Sequence, residues 1–296
     1  MARLRELKGR MKAVGNIKRI TRTMEMIATA KFQAAVHRAT ETKPYTEKVT
    51  ELVAELAAAV VASGQVDHPL LHSPDPSVGR RKLLILSSNR GLCGAYNANV
   101  LRNANAYLTG MAGEVDVDVE VVGRKGVNYC KFNGIDVDQA YTELGDKPAY
   151  EDVNAIAERY IDSFEAGEYD TISVAYMRFI SNSRQTPTIM TLLPLEPPKP
   201  EGEGEAAVEA GAIYEFSPDP AQILAELLPV TVKTRLFQAF NDAVVSEQIS
   251  RMVAMKAATD NADEMGKTLT RKFNRARQAQ ITTELTEIVS GAAALS

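Results

Sequence analysis

The stretch 230–290 contains one glycine, Gly266, and no proline. Apolar residues return in it at three- and four-residue steps: Phe237, Phe240, Val244, then Val245, Ile249, Met252, and later Met265, Leu269, Phe273 and Ala276. Leu285, Ile288, Ala292 and Leu295 carry the pattern to the end. That spacing lines them along one side of a helix. The gaps hold Ala, Lys, Arg, Glu, Gln and Met, so propensity agrees with pattern. Such a helix is roughly 90 Å long at ~1.5 Å per residue. Length beyond ~25 residues points to a coiled coil or a membrane span. Arg251, Lys256, Asp260, Asp263, Lys267, Arg271, Lys272 and Arg275 interrupt every apolar window a bilayer would need. The helix therefore requires a partner helix.

The start of the chain supplies one. Leu4, Leu7, Met11 and Val14 form a helical stripe that resumes at Ile17, Ile20, Met24, Ile27 and Lys31. The three-residue step from Val14 to Ile17 predicts a local change of winding. After Pro44, Tyr45, Val49, Leu52, Leu56 and Ala59 repeat the pattern. Pro44 is expected to kink or break the helix, because it removes a backbone hydrogen bond. Gly64 and the run HPLLHSPDP at 68–76 end it. The economical arrangement is two terminal helices pairing antiparallel, with everything between them inserted.

The insertion reads as α/β. KLLILSS at 82–88 is a short apolar run like a buried parallel strand. A turn, GLCG, follows at 91–94, then a helix over 97–108 and an alternating strand, VDVDVEVV, at 115–122. A helix is expected over 151–164, with strands over 169–180 and 186–195. The run PLEPPKPEGEGEAAVEAG at 194–211 is rich in Pro, Gly and Glu and is expected to be a flexible linker. Asp219 and Pro220 suit a helix cap and first turn, and Pro229 is expected to mark a bend. The expected segments are an N-terminal coiled-coil helix at 1–62, a linker at 63–79, an α/β domain at 80–195, an acidic Pro/Gly linker at 196–218 and a C-terminal coiled-coil helix at 219–296.

The net charge of −4 gives no overall basic excess for nucleic acid. Residues 1–31 nonetheless carry nine basic side chains against two acidic ones. Cys93 and Cys130 form no C-x-x-C pair, which suggests a reducing compartment without a disulfide framework. The basic N-terminus lacks the apolar core of a secretory signal, and its unbroken helical pattern argues against a transit peptide.

Candidate chemistry is sparse. SSNRGLCGAYN at 87–97 sits where a phosphate loop would, between a strand and a helix. It matches neither G-x-x-x-x-G-K-[ST] nor G-x-G-x-x-G, so a tight turn is the simpler reading. Cys93 is expected to be a small buried filler. His68 and His72 lie four apart, but Pro69 places them in a loop unsuited to a metal. Glu284 and Glu287 form no acid–base pair, and no catalytic constellation assembles. No cofactor is expected. At 276–294, small and hydroxyl side chains replace the leucines of a dimerising coiled coil. They suggest a tip lying close to other protein with few anchoring contacts.

Four stretches resemble the γ-subunit family of F-type ATP synthases. ITTELTEIVSGAAA at 281–294 fits the family form I-T-x-E-x-x-E-x-x-x-G-A. SEQISRMVAMKAATDNA at 246–262 and GRMKAVGNIKRITRTMEMIATAKF at 9–32 resemble the family's two terminal helices. NRGLCGAYN at 89–97 resembles D-R-G-L-C-G-x-x-N, with Asn89 in place of the aspartate. The segment 194–217 is longer and more acidic than a plain bacterial version needs, and it lacks the cysteine pair of a chloroplast-type redox switch.

The resemblance implies an antiparallel coiled coil entering a hexameric ring of α and β subunits, with a Rossmann-like α/β domain beside the ε subunit and the c-ring. It implies a non-catalytic rotor shaft coupling ion flow to ATP chemistry on the β subunits. The chain would be peripheral, at the cytoplasmic face of a bacterial plasma membrane. Positions matching the family's ring contacts are Arg19, Arg22 and Met24 on the first helix and Arg277, Gln278, Thr282 and Glu284 on the last. Two rival classes are a Rossmann-like nucleotide enzyme built on 80–195 and a homodimeric coiled-coil adaptor.

Overall fold

The computed structural model describes residues 2–63, 69–71, 79–113, 115–145, 147–195 and 220–295. His68, His72, Asp219 and most of the Pro/Gly/Glu run lie outside them. The elements are α1 (Ala2–Ser63), a 3-10 turn (Pro69–Leu71), β1 (Arg80–Leu86), α2 (Tyr96–Met111), β2 (Asp116–Val122), α3 (Arg124–Phe132), β3 (Gln139–Tyr141), α4 (Tyr150–Glu165), β4 (Thr171–Ser181), β5 (Arg184–Leu193) and α5 (Pro220–Leu295). They form two compact units: Met1–Ala30 with Ser250–Ser296, and Lys31–Ile249.

In the larger unit the five strands are ordered β3-β2-β1-β4-β5. β1 pairs in parallel with β2 and β4, and β2 with β3, while β4 and β5 form an antiparallel hairpin. The chain steps outward from β1 to β3, then returns to the other side of β1, as in a doubly wound sheet. Period-two alternation splits the core. Leu84, Leu86, Val122, Ile172 and Val174 pack with α4 and with Leu228, Val232, Leu236 and Phe240 of α5. Leu83, Ile85, Val119, Val121 and Met177 face Val100 and Ala104 of α2 and Cys130 of α3. Each face buries one stripe per helix, which is why both strand parities are apolar in β1.

Several expectations need correction. α1 runs through Pro44 and α5 through Pro229, with neither broken. A proline removes one backbone bond; the turns on either side keep theirs, and at Pro229 the buried Leu228 and Val232 anchor the helix to the sheet. α3 and β3 were not anticipated: α3 has only nine residues and β3 only three, too short for a clear period. Cys93 and Cys130 are both buried and free.

In the smaller unit the helix pair is antiparallel. Val14 faces Gly266, Lys18 bonds Asp263, and Thr21 bonds Thr259, so one index climbs as the other falls. The seam on α1 is Leu4, Leu7, Met11, Val14, Lys18, Thr21, Glu25 and Ala28, in unbroken three–four steps, with only Lys18 of these exposed. The expected slip after Val14 is absent. Ile17, Ile20 and Ile27 lie on the outer face, at least half exposed. The three–four rhythm continues through polar residues, and apolarity alone traced the wrong side. On α5 the seam is Met252, Met255, Thr259, Ala262, Gly266, Leu269, Phe273 and Ala276. Among the described residues, no helix is long and apolar enough to cross a membrane.

Candidate functional site

Two places could carry function: the turn after β1, and the surface of the helix pair. The turn is tied to its neighbours by its own polar groups. Asn97 accepts the Ser88 N–H at 3.0 Å and donates to Ser88 Oγ at 2.8 Å. Ser88 Oγ donates to the Arg90 carbonyl at 2.6 Å. Leu92, at φ 63°, and Gly94, at φ 57°, take the left-handed conformations that reverse the chain. Asn89 Nδ2 donates to the Leu144 carbonyl at 2.8 Å, and its Oδ1 accepts the Arg124 N–H at 3.1 Å. An ionised aspartate there could accept but not donate, so the amide of Asn89 ties two segments where a carboxylate would tie one.

Nucleotide sites of this architecture use free N–H groups at a helix N-terminus. At α2, which follows the turn, the first turn opens at Ala95 with no side-chain cap, whereas at α3 those groups are spent. Arg124 N–H goes to Asn89, Lys125 N–H to the Ser88 carbonyl at 3.0 Å, and Gly126 N–H to Ser87 Oγ at 2.8 Å. The crevice at the switch point of the sheet is also taken. Ser246 of α5 donates to the Met177 carbonyl of β4 at 3.1 Å, and Phe32 of α1 meets Phe179 edge-on at 6.4 Å. The protein's own helices lie where a dinucleotide would. Sequence reading missed Gly123 and Gly126; a side chain at either would run into Ser87. Among the described residues, no cluster of His, Cys, Asp or Glu could hold a metal ion.

The helix pair has a different character. Its seam mixes small and polar groups with leucines, methionines and Phe273. Thr259 donates to Thr21 Oγ1 at 2.8 Å, where both are nearly closed to solvent. Lys18 bonds Asp263, which also receives Lys267 at 2.9 Å. Lys18 first, then Lys267, holds the Asp263 carboxyl down to about 2. The outer face is apolar in part, with Ile17, Ile20, Met26 and Ile27 on α1 and Val253 and Met265 on α5 exposed. From residue 281 to 293 every side chain of α5 is exposed, including Ile281, Leu285, Ile288 and Val289. These recur at three- and four-residue steps, an apolar stripe with no described residue of this chain covering it.

The residues singled out beforehand fall into two groups. Arg19 donates to Asn16 at 3.1 Å and Arg22 to Glu25 at 3.0 Å, both exposed, while Met24 is half-buried beside the seam. Arg277, Gln278, Thr282 and Glu284 are all exposed; Thr282 donates to the Gln278 carbonyl at 3.0 Å, and Glu284 accepts Gln280 at 2.8 Å. The antiparallel pairing places Arg19–Met24 opposite the region near Thr259, so the two groups do not share one site. Lys18, Thr21, Thr259 and Asp263 were not foreseen as cross-helix partners. Their signal was positional: 18 and 21 continue the spacing of 4, 7, 11 and 14.

The ATP synthase family model matches residues 3–295. The ATP synthase gamma chain of Rhodopirellula baltica is 44% identical over 298 residues, covering 100% of this chain and 99% of that one. The ATP synthase gamma chain of Cutibacterium acnes is 41% identical, covering 99% of this chain and 97% of its own. The fold is shared with a chain of the Euglena gracilis mitochondrial ATP synthase, OSCP/F1/c-ring, in rotational state 3, at a TM-score of 0.66 and 17% identity, over 99% of this chain and 95% of that one. With a model match from end to end and relatives above 40% identity across their whole length, the chain belongs to the ATP synthase gamma-chain family.

Proposed function

We propose that this chain is the central rotor shaft of an F-type ATP synthase, turning inside a ring of α and β subunits and coupling ion flow through the membrane sector to ATP synthesis or hydrolysis on the β subunits. The observation that carries the reading is an antiparallel helix pair whose seam takes in the polar Lys18, Thr21, Thr259 and Glu25 while its outer face bears Ile17, Ile20 and Ile27. A helix pair built for itself alone would place its isoleucines inside. This one keeps them for a surrounding protein. The apolar stripe at 281–289 extends the same logic to the end of α5.

The shaft does no chemistry. It shifts the β subunits between states because it contacts those states with different energies, and without that difference it could shift nothing. Arg19, Arg22 and Met24, and further along Arg277, Gln278, Thr282 and Glu284, are the ring contacts. Segments 1–62 and 219–296 form the shaft, 80–195 the domain beside ε and the c-ring, and 63–79 and 196–218 the linkers. The chain is peripheral, held at the cytoplasmic face of a bacterial plasma membrane through the complex.

Native mass spectrometry of the chain mixed with α and β subunits from the same source tests this. The expected species holds three α, three β and one copy of this chain. A clean homodimer with no ring assembly overturns it and favours an adaptor.

A further inference from the structure

We propose that the polar pairs Lys18–Asp263 and Thr21–Thr259 fix the register of the helix pair in the smaller unit. They decide which side chains of α1 and α5 stand side by side on its outer surface. The same two helices also pack together in the larger unit, Ala35 and Ala39 of α1 against Val245 of α5, and the polar pairs carry that register along the smaller unit.

The apolar groups next to the polar pairs discriminate poorly. There the seam is built of Ala28, Ala262, Gly266 and Val14, with the larger Met11, Leu269 and Phe273 further along it. A side chain at Gly266 would come no nearer than 4.0 Å to Val14, and one at Gly15 would meet nothing. Small residues leave no deep hole that only one knob fits, so sliding α5 by a heptad exchanges one loose contact for another.

The polar groups do discriminate. In the observed register Lys18 meets Asp263 and the two threonine hydroxyls bond each other. A heptad slip in one direction brings Lys256 to Lys18 and leaves Asp263 beside Met11. A slip in the other brings Glu25 to Asp263 and leaves Lys18 beside Thr270. Either way a like-charge contact replaces an ion pair. Thr21 then faces Met252 or Gly266, and the buried hydroxyl bond is lost. Both neighbouring registers are opposed by charge and by loss of the cross-helix hydroxyl bond, while each threonine keeps a carbonyl of its own helix, Lys18 at 3.1 Å for Thr21 and Met255 at 2.8 Å for Thr259. A polar layer that sets coiled-coil register at some cost in stability is a known use of such groups.

The test is disulfide trapping in the full chain. Cys93 and Cys130 are buried and do not compete. Val14→Cys with Gly266→Cys reports the native register. Met11→Cys with Ala262→Cys reports the slip that joins position 18 to Lys256, and Val14→Cys with Phe273→Cys reports the opposite slip. In the parent, only the native pair is expected to close quickly. Lys18→Glu sets like charges at Asp263 and an attraction toward Lys256, so the native pair should close about tenfold more slowly while the Met11/Ala262 pair appears. Lys18→Glu with Asp263→Lys should restore the native pattern. Lys18→Met with Thr21→Val adds no repulsion and should give a mixture of registers, with helicity checked by circular dichroism. Persistence of the native pair alone in both Lys18 variants overturns the proposal. None of these readouts depends on assembly with other subunits, so the register claim and the rotor reading fail separately.

Discussion

The Lys82 ammonium lies 2.8 Å from Glu120 Oε1, with the two residues 8% and 1% exposed. They are diagonal neighbours on β1 and β2, since Lys82 is in register with Asp118. The second carboxylate oxygen accepts the Tyr141 and Tyr160 hydroxyls at 2.8 and 2.7 Å. Burial pushes the Glu120 carboxyl up, but the hydrogen bonds from Lys82, Tyr160 and Tyr141 outweigh it and hold the group below its ordinary value.

Removing one member strands the other. Lys82→Met is expected to cost about 3 kcal/mol in urea unfolding, because the buried Glu120 loses its nearest cation and keeps only the partly exposed Arg159 at 3.5 Å. Lys82→Met with Glu120→Leu should recover most of the loss, keeping about 1–3 kcal/mol for the orphaned Tyr160 hydroxyl. A single-variant cost below about 1 kcal/mol would mean that the tyrosines and Arg159 satisfy the carboxylate without Lys82.

Asp263 sets a pH limit on the helix pair. Its carboxyl is held to about 2 by Lys18 and then Lys267, below the unfolded value of about 3.9. A depressed carboxyl stabilises the fold above the unfolded pKa, and the contribution fades as pH falls toward the folded one. The melting temperature of the chain, followed by circular dichroism, should fall between about pH 4 and pH 2. Asp263→Asn should remove that step while lowering the melting temperature at pH 7. An unchanged acid step in Asp263→Asn would assign the titration to another group.

Glycines in this chain divide by what surrounds them. A Cβ at Gly123, at φ 92°, would lie 2.4 Å from the Ser87 carbonyl oxygen. One at Gly126 would lie 2.5 Å from Ser87 Oγ and 2.6 Å from Val121 Cγ1. Gly126→Ala is expected to destabilise by about 1–3 kcal/mol, and Gly123→Ala by more, because backbone is the obstacle and φ is strained. Gly15 meets nothing within 4 Å, so Gly15→Ala should stabilise by up to about 1 kcal/mol through helix propensity. Thermal melts of the three variants check the order.

The long helices, the alternating β2 and the apolar β1 were legible because periodicity repeats many times in them. α3 and β3 were not, because nine and three residues repeat no period. The seam of the helix pair was misread for a physical reason. Ile17 and Ile20 are more apolar than Lys18 and Thr21, and hydropathy assigns the inside to the isoleucines. Position assigns it to Lys18 and Thr21, because the heptad begun at Leu4 must continue if the helices are to stay in contact. The inversion makes sense only if something outside the chain covers the isoleucines. A single sequence shows the period but not the partner. The same limit applies to the 87–97 turn: its glycines were visible, but the spending of α3's N–H groups on Ser87, Ser88 and Asn89 depends on a helix that was not foreseen.

The far end of α5 separates stability from function. Leu285 and Ile288 are 58% and 72% exposed. Leu285→Ser with Ile288→Ser should change unfolding of the chain by no more than about 0.5 kcal/mol, the usual range for surface positions. If the stripe bears on the ring, the same double variant should still assemble but lose grip on it. ATP hydrolysis by the assembled complex would continue while ion pumping per ATP falls. Each Leu/Ile side chain withdrawn from an apolar contact forfeits about 1.5–3 kcal/mol of burial, enough to loosen a shaft that has few other anchors there. Full coupling with the variant would place the bearing contacts elsewhere, on the polar residues Arg277, Gln278, Thr282 and Glu284. Loss of stability in the isolated chain would mean instead that the stripe packs against a second copy of α5, which a mass measurement would then show as a dimer.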